Sequence, residues 1–206
     1  MFIKVPVNIS ARHIHLCRKD AEELFGEGYE LHKKCNLMQP GEFAAQETLT
    51  IVGPKGKIER VRVLGPYRPQ TQVEVTFTEA RQLGVQAPLR NSGELAGSAP
   101  ITLEGPAKAE LGYTGLYATK IHLPEGCIVA QAHLHVSEED ADFHLIKKGQ
   151  RIKLKLTEGA RPLIIEVVCR PGAGLVLETH IDTEEANAAG MDKGGFAEVL
   201  WQEYVQ

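Results

Sequence analysis

The sequence contains no run of about 20 apolar residues, the length that a helix needs to span a bilayer. We also expect no cleavable leader, because Met1–Lys4 runs directly into the first strand-like segment. Positive and negative side chains are interspersed around a net charge of −4, so there is neither a basic stripe nor an acidic tail. We therefore expect a cytoplasmic protein that binds neither a membrane nor nucleic acid.

Cysteine is scarce and scattered. No two of the cysteines form a Cys-x-x-Cys pair, which excludes a zinc ribbon and a redox dithiol; they are Cys17, Cys35, Cys127 and Cys169. Scattered single thiols fit a reducing compartment. Neither Cys17 nor Cys127 has a base beside it in the sequence, so we interpret both as incidental thiols rather than nucleophiles.

Glycine and proline are plentiful in this chain of 206 residues, with 20 and 11 copies. This composition favours many turns and short elements, and the length suffices for one large domain or two small ones. The alternation of polar and apolar residues over Arg151–Leu156 predicts a half-buried strand. Ser137 precedes three acidic residues, which predicts the N-cap of a short helix.

Two copies of His-x-His, at His13 and His133, lie 120 positions apart and are followed by similar residues. A second pair of segments also aligns, Val73–Gly84 with Thr179–Gly190. An internal repeat is the simplest account of both matches. It predicts a mainly β protein with short helices, built as two pseudo-symmetric small β-barrel domains with capping helices. The expected boundaries are 1–90 for the first half, 91–126 for a connecting segment and 127–206 for the second half.

The repeated histidines have the spacing of metal ligands. On a strand, residues i and i+2 project from one face about 7 Å apart, so two imidazoles can converge on one ion. The repeat aligns a further ligand in each half, Glu74 in the first and His180 in the second. The predicted zinc ligands are therefore His13, His15 and Glu74 for one ion and His133, His135 and His180 for another. Three protein ligands leave a position open for substrate. The alternative is that the histidines only pack and hydrogen-bond locally, which the repetition disfavours.

Arg68 falls opposite Gly174 in the repeat, so the common fold does not require its charge. It lies six residues before Glu74, where its guanidinium can bind a phosphate oxyanion near the metal. A solvated arginine in a turn is an equally compatible interpretation of the sequence alone.

Taken together, these residues resemble the PduL-type phosphotransacylases, also called phosphate propanoyltransferases. The matching segments are Val5–Leu16, Gln39–Ala45, Val61–Pro66, Gln70–Glu74 and Leu177–Gly190. The resemblance implies two β-barrel domains, a pair of zinc ions between them and a homodimer. It implies transfer of a short acyl group, propanoyl or acetyl, between coenzyme A and inorganic phosphate. The family's metal positions fall on the six residues named above, and its phosphate-contacting arginine falls on Arg68.

Two features depart from the family pattern. Members housed in bacterial microcompartments usually carry an amphipathic segment before the core, whereas this chain starts at the core, which favours the open cytoplasm over encapsulation. The segment 107–124 is longer than the usual connection between the halves. The mechanism implied is direct attack of phosphate on the thioester, without an acyl-enzyme. The alternatives are a dinuclear zinc thioester hydrolase, in which a hydroxide replaces phosphate, and a non-catalytic metal-binding scaffold protein.

Overall fold

A computed structural model describes residues 4–107 and 118–200. These residues form four short helices, α1 (Arg18–Phe25), α2 (Phe77–Leu83), α3 (Glu138–His144) and α4 (Thr183–Ala189). They also form the strands β1 (Lys4–Ser10), β2 (His13–His15), β3 (Lys33–Asn36), β4 (Phe43–Val52), β5 (Lys57–Gly65), β6 (Gln72–Glu74), β7 (Leu89–Arg90), β8 (Ala99–Ala107), β9 (Ala118–Ala130), β10 (His133–Ser137), β11 (Arg151–Leu156), β12 (Leu163–Gly172), β13 (Glu178–Asp182) and β14 (Gly195–Leu200). Across these ranges, no helix is long and apolar enough to cross a membrane.

The chain divides into two compact units. We call Arg12–Leu37 with Gly41–Ala130 the N-terminal unit. The remainder, Met1–Ala11, Met38–Pro40 and Gln131–Gln206, is the C-terminal unit. Each unit therefore contains residues from both halves of the sequence.

Each unit is a six-stranded barrel. In the C-terminal unit the closed strand order is β1-β13-β10-β12-β11-β14. In the N-terminal unit the order runs β4-β5-β2-β6-β9, and β8 pairs with both β9 and β4, which closes the ring. The short strands β3 and β7 extend this sheet. The predicted fold class, mainly β with two small barrels and short helices, is confirmed.

Buried and exposed side chains alternate along the barrel strands, and the buried ones form the core. In β11, Ile152, Leu154 and Leu156 are buried while Arg151 and Lys153 face solvent, and the predicted strand over these residues is confirmed. Apolar side chains of alternate positions therefore fill the barrel, as the period of two requires.

The strand pairings match between the units. In the N-terminal unit β2 runs parallel to β5 and antiparallel to β6, which runs parallel to β9. In the C-terminal unit β10 runs parallel to β12 and antiparallel to β13, which runs parallel to β1. The register also agrees, because Glu74 pairs with Ile128 and His180 pairs with Asn8, two partners that are 120 positions apart.

The units do not follow the boundaries predicted from sequence, 1–90, 91–126 and 127–206. Strand β1 belongs to the C-terminal unit because it hydrogen-bonds to β13 and β14. Residues 91–126 contribute β8 and most of β9 to the N-terminal barrel, where Ile101 and Leu103 are buried in the core. Each half thus gives its first strand, β1 or β9, to the other unit's barrel. Of the long segment 107–124, residues 108–117 lie outside the described ranges and 118–124 belong to β9.

Three of the four described helices, α2, α3 and α4, begin at side-chain caps, whereas Cys17 before α1 makes no side-chain cap hydrogen bond. The Ser137 hydroxyl accepts from the Asp140 N–H at 3.0 Å at the start of α3, so the predicted N-cap is confirmed. A capping box of Thr76 and Glu79 begins α2, and one of Asp182 and Glu185 begins α4. The helices α2, α3 and α4 follow β6, β10 and β13, so these caps lie where three of the four strands that carry candidate ligands end.

Candidate metal centres

The first candidate centre lies in the N-terminal unit, where β2 supplies His13 and His15 and β6 supplies Glu74. All three side chains are buried, and the antiparallel register places His13 opposite Glu74. The Nε2 atoms of the two histidines lie 3.1 Å apart, and His13 Nε2 is 3.4 Å from Glu74 Oε2. One ligand atom from each residue lies within 4.8 Å of the others. We call this group the N-terminal triad.

The electrostatics of the N-terminal triad suit a cation. Burial, together with the nearby His13 and Arg68, holds the pKa of His15 well below its usual value, so this imidazole keeps its lone pair. Burial alone raises the pKa of Glu74, but His13, His15 and the Ser92 hydroxyl outweigh it and hold that pKa well below its usual value. A neutral imidazole and an ionised carboxylate are the forms that bind metal.

Glu74 also accepts hydrogen bonds from groups outside the triad, on the side away from the two imidazoles. Its Oε1 accepts hydrogen bonds from the Gln72 amide at 2.5 Å and from the Ser92 hydroxyl at 2.9 Å. The Gly93 N–H donates to Gln72 Oε1 at 2.7 Å, which orients the amide. The carboxylate therefore has one oxygen bound by the protein and the other directed at the imidazoles, an arrangement that fixes a metal ligand.

Arg68 is not a freely solvated side chain. Its Nη1 donates to the Ser92 hydroxyl at 3.0 Å, and its Nη2 lies 3.5 Å from Glu42 Oε1. The backbone N–H of Arg68 donates to the Leu16 carbonyl at 2.8 Å. The side chain keeps 28% of its surface exposed. Through Ser92, the guanidinium is connected to the carboxylate of the N-terminal triad while remaining accessible to an anion.

The second candidate centre lies in the C-terminal unit, where β10 supplies His133 and His135 and β13 supplies His180. His133 pairs with His180 in the ladder, as His13 pairs with Glu74. The Nε2 atoms of His133 and His135 lie 3.1 Å apart, and each ring centroid is 5.0 Å from that of His180. Ligand atoms of these three residues lie within 4.8 Å of one another. We call this group the C-terminal triad.

Burial, together with the nearby Arg170, His180 and His135, lowers the pKa of His133 to about 3. Its Nδ1 lies 2.9 Å from the Gln131 carbonyl oxygen, which leaves Nε2 directed at His135. The ring is therefore neutral, in the form that a metal binds. All six residues predicted as ligands are thus brought into two groups of three.

Comparisons with known proteins give the same family that the sequence motifs indicate. A family model described as phosphate propanoyltransferase matches residues 6–192. The chain is 49% identical over 191 residues to the phosphate propanoyltransferase of Priestia megaterium, covering 92% of this chain and 82% of that protein. It is 46% identical over 191 residues to that of Shewanella putrefaciens (92% and 85%) and 43% identical over 189 residues to that of Salmonella typhimurium (91% and 84%).

The chain belongs to the phosphate propanoyltransferase family. The resemblance seen in the sequence is confirmed, and so is the prediction of an acyltransferase.

The sequence analysis did not identify four polar residues that lie around the triads of this phosphate propanoyltransferase family member. They are Gln72 and Ser92 beside Glu74, and Gln39 and Glu178 beside His180. A signal existed for two of them: Gln72 and Glu178 each stand two positions before a predicted ligand, on the same face of the strand. The aligned segments Val73–Gly84 and Thr179–Gly190 start one residue after this pair. No local pattern marks Gln39 or Ser92, which are distant in sequence from their partners.

Proposed function

We propose that the protein interconverts a short-chain acyl-CoA and inorganic phosphate with an acyl phosphate and coenzyme A, using two zinc ions per chain, one held by each triad. The observation that carries this proposal is the convergence of three buried or half-buried ligands in each unit, with Arg68 connected to one of the groups. Propanoyl-CoA is the first candidate substrate, because the relatives are named phosphate propanoyltransferases, and acetyl-CoA is the second.

The residues present fit zinc. Each triad offers imidazole nitrogen, and one adds a carboxylate oxygen; both ligand types are common for zinc. Three ligands leave an open position, as catalytic zinc sites require and closed structural sites do not. Bound zinc would supply Lewis-acid stabilisation for phosphate oxygens and for the departing thiolate, a soft ligand that zinc binds well.

The protein's own residues would hold and orient the phosphate. The Arg68 guanidinium can donate two parallel hydrogen bonds to the anion, and Ser92 and Glu42 limit its rotation. A phosphate oxygen so held forms a bond to the thioester carbonyl carbon while the carbon–sulfur bond breaks, and coenzyme A leaves as the thiolate.

An acyl-enzyme on a buried cysteine is disfavoured. Burial raises the pKa of the Cys127 thiol to about 12 and that of Cys169 to about 11. Both thiols are therefore protonated at neutral pH and are poor nucleophiles. Direct attack by phosphate needs no covalent intermediate.

A thiol-release assay tests the proposal. Propanoyl-CoA and acetyl-CoA are each supplied with and without inorganic phosphate, to zinc-loaded and to chelated protein. We expect release that needs both phosphate and zinc, with formation of acyl phosphate. Release without phosphate would identify a thioester hydrolase instead, and zinc binding without any release would identify a metal-binding scaffold protein.

A further inference from the structure

Glu178 stands beside the C-terminal triad without belonging to it. Its side chain is 1% exposed, and its Oε2 lies 3.0 Å from Nε2 of His180. The residues whose ligand atoms all lie within 4.8 Å of one another are the three histidines, and Glu178 is not among them. We propose that Glu178 is a positioning residue, which orients the His180 imidazole and supplies the negative charge that this centre's ligands lack. This inference rests on the proposed zinc function.

Gln39 holds Glu178 in place. Its Nε2 donates to Glu178 Oε2 at 2.6 Å and to the Val176 carbonyl at 3.1 Å, while its Oε1 accepts from the Val176 N–H at 3.2 Å. This two-way pairing with one backbone residue fixes the orientation of the amide, so its N–H must face Glu178. A buried carboxylate held by a buried, fixed amide is preorganised for its neighbour.

The N-terminal unit has an amide at the ladder position that Glu178 occupies in the C-terminal unit, and this difference accounts for the charge of Glu178. Gln72 stands opposite His15 in the N-terminal unit, as Glu178 stands opposite His135 in the C-terminal unit. The N-terminal triad has a carboxylate among its ligands and a neutral amide behind it. The C-terminal triad has three imidazoles and a carboxylate behind them. Each centre therefore contains one carboxylate, which reduces the net charge of a buried divalent cation from +2 to +1.

Fold stability alone does not account for Glu178. Its Oε1 is buried and has no hydrogen-bond partner among the residues that the structure describes. A neutral amide at this position keeps an acceptor for Gln39 and avoids the free-energy cost of burying a charge, so Glu178→Gln should fold as well as wild type. A carboxylate retained at this cost fits a role toward a cation.

The test uses Zn2+ alone, competed against a chromophoric chelator. Glu178→Gln is measured in two backgrounds: His15→Ala, which leaves the C-terminal triad intact, and His133→Ala, which leaves the N-terminal triad intact. We expect 10- to 100-fold weaker zinc binding in the first background, the usual effect of removing such a partner, and no change in the second. Glu166→Gln on β12, where the exposed carboxylate contacts Arg151 at 2.7 Å, is the matched control and should change neither.

Thermal unfolding of the metal-free proteins separates positioning from folding. Metal-free Glu178→Gln should unfold no lower than metal-free wild type, and Gln39→Ala should weaken zinc binding in the His15→Ala background in the same direction as Glu178→Gln. Unchanged zinc affinity in Glu178→Gln, or an equal loss in both backgrounds, would overturn the inference while leaving the zinc function intact. If the wild-type chain binds no zinc, the proposed function fails, and the inference with it.

Discussion

The two triads occupy equivalent positions in two matching strand ladders but differ in chemistry. In the N-terminal unit the third ligand is Glu74, and the residue two places before it is the amide Gln72. In the C-terminal unit the third ligand is His180, and the residue two places before it is the carboxylate Glu178. The N-terminal triad is fully buried, whereas only His133 of the C-terminal triad is. The ladder therefore decides where ligands converge, and the side chains decide the charge and softness of each centre.

A second difference concerns the anion. The N-terminal unit places Arg68 beside its triad through Ser92. The repeat aligns Gly174, which has no side chain, with this arginine. We propose that Arg68 holds phosphate in the N-terminal unit, so the two units should respond differently to the changes below.

The largest expected effect comes from removing one ligand of either triad. If the proposed dinuclear mechanism holds, His15→Ala and His135→Ala should each reduce the bound zinc from two ions to one and lower acyl transfer by about 10³-fold or more, because that mechanism uses both centres. Metal analysis and the thiol-release assay give the two readouts. His122→Ala, on β9 with its ring contacting Thr102, is the matched control. If one variant kept full activity, the two triads would not be equivalent in function.

A smaller effect is expected at the anion site. Arg68→Ala should lower kcat/KM for phosphate by about 10²-fold, close to 3 kcal/mol of lost transition-state stabilisation. Zinc content should be unchanged, because Arg68 is not a ligand. Arg151→Ala, an exposed arginine of the C-terminal unit, should have no effect. Phosphate dependence that survives in Arg68→Ala would contradict the role assigned to this side chain.

The smallest effect compares the two capping boxes. Burial raises the pKa of Glu185 from 4.5 to about 7 in the folded chain, although the hydrogen bond from the Asp182 backbone N–H lowers it in part. Since the folded state holds this proton more tightly than the unfolded state, the contribution of Glu185 to stability is largest below pH 4.5 and falls as pH rises through 7. Glu185→Gln keeps the acceptor that the box needs but cannot ionise. We expect it to remove this fall, a gain on the order of 1 kcal/mol at pH 8 after allowing for partial exposure.

Urea denaturation at pH 5 and pH 8 measures this difference. Glu79→Gln at the equivalent position of α2 is the matched comparison, because Arg12 Nη1 lies 2.8 Å from the Glu79 carboxylate. Position 132, aligned with Arg12, holds an alanine. Glu79→Gln loses an ion pair and should not gain stability at pH 8. If Glu185→Gln and Glu79→Gln changed stability equally between pH 5 and pH 8, the ion pair of Arg12 with Glu79 would not be what distinguishes the two capping boxes.

Local patterns in the sequence were sufficient for several elements. Ser137 was identifiable as a cap and 151–156 as a strand, because both depend on neighbouring residues alone. The grouping of the six histidine and glutamate residues was also predictable, since the repeat reveals which distant segments play equivalent parts. The domain boundaries were not predictable in this way, because β1 and β9 pair with strands that no local pattern identifies.

By itself, the sequence determined the barrel class, the family and the six residues that converge in two groups of three, since these follow from residue spacing and identity. Tertiary structure alone decided that the first strand of each half completes the other unit's barrel, and that Gln39 reaches Glu178 across 139 positions. The physical reason is that ladder hydrogen bonds and buried polar pairs form between whichever segments the fold brings together. Their energies depend on distance in space, which spacing along the chain does not encode.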